Sequence, residues 1–188
     1  MTSSQLSRDV IDVLTHDHEE VTALIGNIKT VTDPMVRRDL TDTAISEIVR
    51  HAVAEEMYVY PVMRSYLANG EEAVAHDIEE HQEIEETLVR LEDADVSGVD
   101  FEAALSQLDR LLAEHVKDEE NRQFPELRRS IPLEQLVELA EKVERAKKLA
   151  PTRPHPGAPN SEVFHKLVGP GVGLVDRLRD KLTGRVTG

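Results

Sequence analysis

The sequence contains no cysteine and no tryptophan, and aromatic residues make up only 3% of its 188 residues. Without cysteine, the protein has no disulfides, no thiol catalysis, no thiolate zinc site and no cysteine-held iron–sulfur cluster. Because aromatic side chains are scarce, the core must be built from Leu, Val, Ile and Ala. These absences predict an aliphatic interior without covalent cross-links.

The sequence also lacks an apolar run of about 20 residues, the length that a membrane-spanning helix requires. Its first segment, MTSSQLSRDVIDVLTHDHEE, has no apolar signal core followed by a small-residue cleavage site. We therefore expect a cytoplasmic protein for which membrane association is unlikely. Basic residues are in a minority, with 22 against 37 acidic residues and a net charge of −15. This balance argues against nucleic acid as a partner.

Apolar residues recur at helical spacing almost throughout the chain, and no segment alternates convincingly as a strand would. Short connections between long amphipathic helices favour an all-α fold, an antiparallel up-down four-helix bundle. The predicted helices span about residues 4–30, 34–66, 71–92 and 100–129, with a shorter fifth helix over 133–149.

The sequence predicts three parts along the chain. Residues 1–130 form the bundle, and residues 131–150 form a fifth helix that packs on it. Residues 151–188 form a Pro/Gly-rich linker and a short amphipathic tail, a C-terminal extension with net charge +3 on an otherwise acidic chain. Because its charge opposes that of the bundle, the tail is expected to cover the bundle or make a dimer contact. Weak membrane or partner binding is the alternative.

One pattern, His-x-x-x-Glu-Glu-x-x-x-aromatic-Pro, occurs twice. It reads HAVAEEMYVYP at 51–61 and HVKDEENRQFP at 115–125. Another pair of histidines, His18 and His81, lies 63 positions apart, almost the 64-residue distance between the two segments. The first two helices therefore resemble the next two, as in a repeated helical hairpin.

The helical faces separate inward histidines from outward ones. His18 shares an apolar stripe with Leu14 and Val21, whereas His16 lies about 200° away around the helix and should face solvent. The same comparison places His76 off its stripe. The residues that lie on apolar stripes are His18, His51, His81 and His115, with Glu55 and Glu119 one turn after the second and fourth.

A buried carboxylate costs several kcal/mol unless a partner compensates it. Imidazole and carboxylate groups together suit first-row metals such as iron, manganese and zinc. If Glu55 and Glu119 both bridge two metal ions, two histidines remain as ligands for each ion. The pattern therefore predicts a binuclear metal site, half of it from each hairpin. Ordinary His–Glu pairing without metal is the alternative, and it suits a single pair better than four converging helices.

These residues resemble the hemerythrin-like (HHE) family of four-helix-bundle diiron proteins. The resemblance covers about residues 10–127 and rests on DH at 17–18, HAVAEE with its YP, EH at 80–81, and HVKDEE with its FP. The Glu-x-x-His pattern of ferritin-like diiron proteins is absent from residues 1–150. The resemblance implies two iron ions with an oxo or hydroxo bridge. The ligands it implies are His18, His51, Glu55, His81, His115 and Glu119.

The chain departs from the oxygen-carrying hemerythrins that it resembles at two points. Those proteins have a fifth histidine four positions after the ligand of the third helix, where this chain has Glu85. Their last helix has His-x-x-x-x-Asp, where this chain has His115-x-x-x-Glu119. The missing histidine leaves a coordination position open to water, an oxygen ligand or a small reactive molecule, which disfavours simple O2 carriage.

Two residues are candidates for catalytic roles. Tyr58 follows Glu55 by three positions and is expected to face the site, either as an iron ligand or as a hydrogen-bond donor to a bound oxygen species. A core tyrosine with a satisfied hydroxyl is the alternative. Glu85 is a candidate ligand or proton relay, or simply a solvated residue.

Four residues of the repeated pattern have simpler structural interpretations. The aromatics are expected to pack, with each following proline tightening or kinking the helix beyond the site. The second glutamate of each pair is expected on a solvated flank rather than on metal. The aromatics are Tyr60 and Phe124, and the glutamates are Glu56 and Glu120.

The resemblance implies a protein that binds and turns over a small oxidant, hydrogen peroxide or nitric oxide, with O2 also a candidate. The electron donor is unknown, and monomer and homodimer are both compatible with the sequence. Whether the protein is an enzyme stays open, with a peroxide- or NO-consuming diiron oxidoreductase favoured. The alternatives are a sensor or storage protein for O2, NO or iron, and a structural metal bundle with, for example, zinc.

Overall fold

The computed structural model describes residues 8–154 of the chain. That stretch is almost entirely helical and contains no strand, which confirms the predicted all-α class. Two five-residue π-helical turns, Glu55–Val59 and Glu119–Gln123, interrupt two long helical rods without ending them. In chain order the α-helices are α1 (Val10–Thr30), α2 (Pro34–Ala54), α3 (Tyr60–Tyr66), α4 (Gly70–Asp93), α5 (Val99–Asp118), α6 (Phe124–Ser130) and α7 (Leu133–Leu149).

The four rods of the bundle are α1, α2 continued into α3, α4, and α5 continued into α6. They pack as an antiparallel up-down bundle, in agreement with the prediction. The fifth helix, α7, packs against α1 and α2. None of the helices within residues 8–154 is long and apolar enough to cross a membrane.

Local residues set the ends of these helices. Helix α1 begins later than predicted, at Val10, because the Asp9 carboxylate accepts a hydrogen bond from the Asp12 N–H and the Asp12 carboxylate accepts one from the Asp9 N–H. Gly70 opens α4 beside the end of α3, where an added Cβ would lie 2.3 Å from the Met63 carbonyl oxygen. A larger residue at this position would push the two helices apart.

The aliphatic core is divided into two clusters by a polar layer. One cluster lies around α3, α6 and α7, and the other lies around the opposite halves of α1, α2, α4 and α5. On α1, for example, His18 separates Leu14 of the first cluster from Val21 of the second. Each fully buried Leu, Ile or Val stabilises the fold by about 1.5–3 kcal/mol. The two clusters therefore hold the rods firmly on both sides of the polar layer.

The chain folds back onto the bundle after α7. The Ser46 hydroxyl on α2 donates to the Thr152 carbonyl oxygen at 3.1 Å, and Arg153 forms an ion pair with Glu92 on α4. Thr152 is fully buried. The predicted amphipathic tail beyond residue 154 lies outside the described residues, so its role and the proposed domain boundaries stay predictions.

Candidate metal centre

The polar layer brings the four predicted histidines together as two pairs. All four are less than a tenth exposed. The Nε2 atoms of His18 and His51 are 3.1 Å apart, and those of His81 and His115 are 3.3 Å apart. Each pair comes from one half of the repeated sequence, the first from α1 and α2 and the second from α4 and α5.

Glu55 and Glu119 lie between the two histidine pairs. Both are buried, at 0% and 1% exposure. In each carboxylate, Oε2 lies near one histidine of each pair, which is the placement that a bridging ligand requires. The distances from Oε2 to Nε2 are 3.2 Å for Glu55–His51, 3.5 Å for Glu55–His81, 3.2 Å for Glu119–His18 and 3.5 Å for Glu119–His115.

A second set of carboxylates holds the outer nitrogen of every histidine. When Nδ1 donates its hydrogen to a carboxylate, the ring is fixed in orientation and its Nε2 lone pair is left for a metal ion. The pairing follows the sequence repeat: Asp17 and Glu80 occupy equivalent positions in the two halves, as do Glu56 and Glu120. The Nδ1-to-carboxylate distances are 2.9 Å for His18–Glu120, 3.2 Å for His51–Asp17, 3.0 Å for His81–Glu56 and 2.8 Å for His115–Glu80.

The expectation of a solvated flank is therefore wrong for Glu56, whereas Glu120 is partly exposed, and neither glutamate belongs to a group of potential metal ligands among the described residues. Glu56 is only 5% exposed, and the Glu120 side chain is 33% exposed. Each reaches across the bundle to a histidine on another rod, because the first glutamate of the Glu-Glu pair already occupies the inner position. The signal was present in the sequence: both copies of the pattern carry the second glutamate, and both DH and EH place an acid directly before an inward histidine.

The charges of the polar layer are suited to cations. Within the described residues, the four carboxylate oxygens of Glu55 and Glu119 are buried and accept no well-aligned hydrogen bond, and each Oε2 has only histidine Nε2 atoms at 3.2–3.5 Å as its ion-pair partners. The two Nε2 atoms of each histidine pair also lie 3.1 and 3.3 Å apart, so two neutral rings that donate through Nδ1 would oppose their lone pairs unless a proton or a cation lay between them. An isolated buried carboxylate is costly, and a metal ion bound to Nε2 and carboxylate oxygens would compensate both effects.

Two groups of potential ligand atoms match the two histidine pairs. One consists of His18, His51, Glu55 and Glu119, and the other of Glu55, His81 and His115. Within each group the atoms lie within 4.8 Å of one another. The donor set is therefore able to hold two neighbouring cations that share a carboxylate.

In the metal-free chain, protons take the place of cations. Burial lowers the pKa of His51, but the carboxylates of Glu55 and Asp17 outweigh burial and raise that pKa to about 10. Burial likewise raises the pKa of Glu55, but His51 and His81 hold it well below its usual range. When no metal is bound, His51 therefore favours its protonated form and Glu55 its ionised form.

The hydroxyl group of Tyr60 lies beside one of the four histidines. The Tyr60 Oη atom lies 3.2 Å from both ring nitrogens of His81 and is fully enclosed in the core. The reason is the first π-turn: the Tyr60 N–H donates to the Glu55 carbonyl, so five residues rather than four complete the turn after Glu55. Regular α-helical periodicity did not predict this placement of Tyr60, and the role predicted for Tyr58 stays a prediction.

The remaining two predicted site residues lie outside the clusters of potential ligand atoms. Tyr58 is partly buried and packs against the core cluster of α3, α6 and α7. Glu85 is partly buried on α4, one turn after His81, and it belongs to none of the potential metal-ligand groups among the described residues. A catalytic role for either residue stays a prediction.

The two π-turns place equivalent aromatic rings against equivalent histidines. Phe124 stacks on His18, with ring centroids 5.8 Å apart and an angle of 8°. Tyr60 stacks on His81 at 5.6 Å and 28°. The two stacked aromatic rings therefore differ by one hydroxyl group, which lies on the His81 side.

A buried Asp–Gln pair, which sequence reasoning missed, also lies on that side. The Gln123 amide donates to Asp77 Oδ1 at 3.0 Å. Burial and the nearby charge of Glu119 raise the pKa of Asp77 to about 6. Asp77 also groups with Glu80 and His115 as potential ligands. The repeat itself carries no signal for this pair, because the equivalent positions in the first half are apolar.

Comparison with known proteins agrees with this centre. The family model described as the hemerythrin HHE cation binding domain matches residues 9–127. An uncharacterised hemerythrin-like protein of Schizosaccharomyces pombe is 32% identical over 174 residues, which cover 92% of this chain and 86% of the relative.

A DNA nickase of a Nostoc species is 26% identical over 145 residues, covering 77% of this chain but only 41% of the relative. No solved structure matches the chain. The family match spans more than half of the chain and includes every residue of the two histidine pairs and both glutamates between them. The chain therefore belongs to the hemerythrin HHE cation-binding family, and its polar layer carries the residues that could hold the metal.

Proposed function

We propose that the chain binds two iron ions and uses them to bind and turn over a small oxidant, hydrogen peroxide or nitric oxide, with O2 as a further candidate. The observation that supports this most strongly is the arrangement of Glu55 and Glu119, each with one oxygen near a histidine of both pairs. Such an arrangement suits two adjacent cations better than one. Imidazole with carboxylate is a donor set that iron accepts.

A pair of adjacent iron ions, when bound, supplies two electrons to a small oxidant. The protein's own residues have three tasks. The Nδ1 hydrogen bonds keep the histidines in one tautomer and one orientation. The two aliphatic clusters exclude bulky reductants from the polar layer. Tyr60 provides a buried hydroxyl beside His81, able to donate a hydrogen bond to a ligand held on that side.

The chain has Glu85 where oxygen-carrying hemerythrins have a further histidine, and the two metal-ligand groups of the histidine pairs in residues 8–154 do not include Glu85. The described ligand set thus contains two histidines per ion and leaves coordination positions for an exogenous molecule. Open positions favour turnover or ligand activation over reversible oxygen carriage.

Metal analysis of the purified protein tests the proposal directly. We expect two irons per chain and an electronic spectrum that changes on addition of peroxide or nitric oxide. His18→Ala and His81→Ala should each lose iron. The matched controls are His16→Ala and His76→Ala, because these histidines are about half exposed and lie on the same two helices. A colourless protein, one metal per chain or zinc in the site would contradict the proposal.

A sensor or storage protein without turnover is the alternative. Steady-state consumption assays separate the two, since an enzyme removes many equivalents of peroxide or nitric oxide per chain. A sensor would take up one equivalent reversibly and then stop.

The name of the Nostoc relative suggests DNA as another substrate, but the chain spans less than half of that protein. A net charge of −15 opposes binding to DNA phosphates, which proteins usually neutralise with Lys and Arg. We therefore do not extend DNA cleavage to this chain.

A further inference from the structure

The two halves of the metal centre repeat each other in their ligands but not in their surroundings. Asp77 and Gln123 occupy positions that correspond, through the 63- and 64-residue offsets of the repeat, to Leu14 and Val59. Leu14 and Val59 are buried in the apolar cluster around α3, α6 and α7. The His18–His51 side is thus sealed by aliphatic groups at the two positions where the His81–His115 side is polar.

The Asp77–Gln123 pair has unused hydrogen-bonding capacity. Asp77 is fully buried and Gln123 is 5% exposed. One amide hydrogen bond joins them, yet Asp77 Oδ2 and Gln123 Oε1 have no hydrogen-bond partner within the described residues. Buried oxygen acceptors without a donor are rare in folded proteins and costly. Two such acceptors on one hydrogen-bonded pair of residues suit a small molecule that can donate hydrogen bonds.

The same pair links the centre to the protein surface. Gln123 also donates to Asp118 at 3.3 Å, and both residues line an open cavity of about 270 Å³ between α4 and the second π-turn. At the inner end, Asp77 lies in the group of potential ligand atoms that includes His115. Polar groups therefore run from solvent through Asp118, Gln123 and Asp77 to the second histidine pair.

From this continuity we infer that small hydrogen-bond-donating ligands reach the metal centre along the Asp118–Gln123–Asp77 path and bind on the His81–His115 side. Water, hydrogen peroxide and hydrogen cyanide belong to this chemical class. The inference rests on the proposed function only in requiring a bound metal, and it assigns different tasks to the two halves of a nearly repeated site. Gln123 lies between Asp118 and Asp77 on this path. It is therefore expected to position the incoming ligand and not to touch the metal.

Ligand-binding kinetics test the path without relying on turnover. The probe is cyanide near neutral pH, where it is the neutral donor HCN, and its binding is observed by stopped-flow absorbance. Both the iron protein as isolated and the cobalt(II)-loaded protein are used, so that the result does not depend on the physiological metal. Metal content and thermal stability are measured first for every variant.

Two variants close the path at different points. Gln123→Val copies the residue of the sealed half, and Ala73→Phe fills the cavity from its mouth, since Ala73 lines it. We expect both to slow cyanide association by about tenfold with an unchanged Kd, because a narrowed path slows entry and exit alike. The matched controls are Asn121→Val, an exposed position in the same π-turn, and Ala103→Phe, an exposed position on α5.

Association at the wild-type rate in both path variants would overturn the inference, as would equal slowing in the controls. A weaker Kd with an unchanged association rate would also overturn it, because Gln123 would then act on the bound ligand and not on its access. If the wild-type protein holds neither iron nor cobalt, the metal analysis shows this before cyanide is added. In that case the proposed function fails, and the path to a metal fails with it.

Discussion

At the scale of single residues, the metal centre depends on carboxylates in two different roles. Glu55 and Glu119 face inward toward the histidine Nε2 atoms and accept no well-aligned hydrogen bond among the described residues, which makes them suitable as metal ligands. The four outer carboxylates each accept a hydrogen bond from a histidine Nδ1 atom. Adjacent acids such as Glu55 and Glu56 thus approach different nitrogen atoms of one histidine: Glu55 lies near Nε2 of His81 and Glu56 near its Nδ1.

Replacing Glu56 by glutamine tests the outer role. The amide is a weaker acceptor than the carboxylate for His81 Nδ1, so we expect metal affinity to fall by about 10–100-fold while the fold is kept. Competition with a chelator measures the change. The matched control is Glu86→Gln, an exposed glutamate on α4. If Glu56→Gln retains the metal affinity of the wild-type protein in this competition, the outer carboxylate does not contribute to metal binding.

Two conservative substitutions distinguish the roles of Tyr60 and Tyr58 at the metal centre. Tyr60→Phe removes the hydroxyl beside His81 and copies Phe124 of the other half, so the fold should tolerate it. We expect the absorption spectrum of the iron protein, or of its ligand adducts, to change in Tyr60→Phe and to stay the same in Tyr58→Phe. The reverse result would restore Tyr58 to the role predicted from the sequence.

At the scale of helices and turns, the π-turns and α7 determine how the site is built. Each π-turn begins at an inward glutamate and ends just before an aromatic residue that stacks on a histidine. Helix α7 lies beyond residue 127, where the family match ends. It nevertheless reaches the polar layer, because Lys147 donates to Asp17 at 2.6 Å and Asp17 in turn holds His51.

Lys147→Met tests this link between α7 and the centre. Lys147 is 15% exposed and Asp17 is 8% exposed, so the pair is largely shielded from solvent. Loss of the Lys147 ammonium group leaves the buried Asp17 carboxylate without this ion-pair partner. We therefore expect the free energy of unfolding to fall by about 2 kcal/mol in urea titrations.

Lys142→Met provides the control for that measurement, since Lys142 forms an exposed pair with Glu138 on the same helix. An exposed pair of this kind contributes about 0–1 kcal/mol. If the free energy of unfolding falls equally in both variants, the Lys147–Asp17 ion pair stabilises the fold no more than an exposed pair does. Helix α7 would then dock through its apolar face alone.

At the scale of the whole molecule, the bundle places a highly charged layer between two aliphatic clusters. Metal ions would neutralise that layer, so their removal should destabilise the entire chain. For a cation present at about 1,000 times its Kd, the expected loss is about 4 kcal/mol per site, or roughly 10 °C in Tm for a protein of this size. Calorimetry before and after chelation measures it, and an unchanged Tm would argue for a bundle that needs no metal.

Metal binding should also depend on pH. The pKa of His51 is raised to about 10 in the metal-free chain, so this imidazole carries a proton at neutral pH that a metal ion must displace. Apparent metal affinity should therefore rise with pH up to about 10 and fall as the medium is acidified. Titration calorimetry in buffers of different ionisation enthalpy measures the released protons. Binding without proton release would show that the histidines are already neutral.

The sequence by itself determined the helical class, the bundle and the inward histidines with their glutamates. Periodicity reports which residues share a face of a helix, and Leu14, His18 and Val21 share one whether or not the rest of the chain is known. The spacing of the repeated pattern then indicated two equivalent halves. Both conclusions depend only on contacts within a helix or on counting along the chain.

Only the tertiary structure decided which residues meet across helices. Glu56 and Glu120 contact histidines on other rods, and a π-turn places the Tyr60 hydroxyl beside His81. Asp77 meets Gln123 on another rod, 46 positions away in sequence. Each π-turn shifts the register of the helix that follows it by one residue. Regular α-helical periodicity does not predict such a shift. The asymmetry of the centre likewise arises from packing between helices, where side chains distant in sequence determine one another's surroundings.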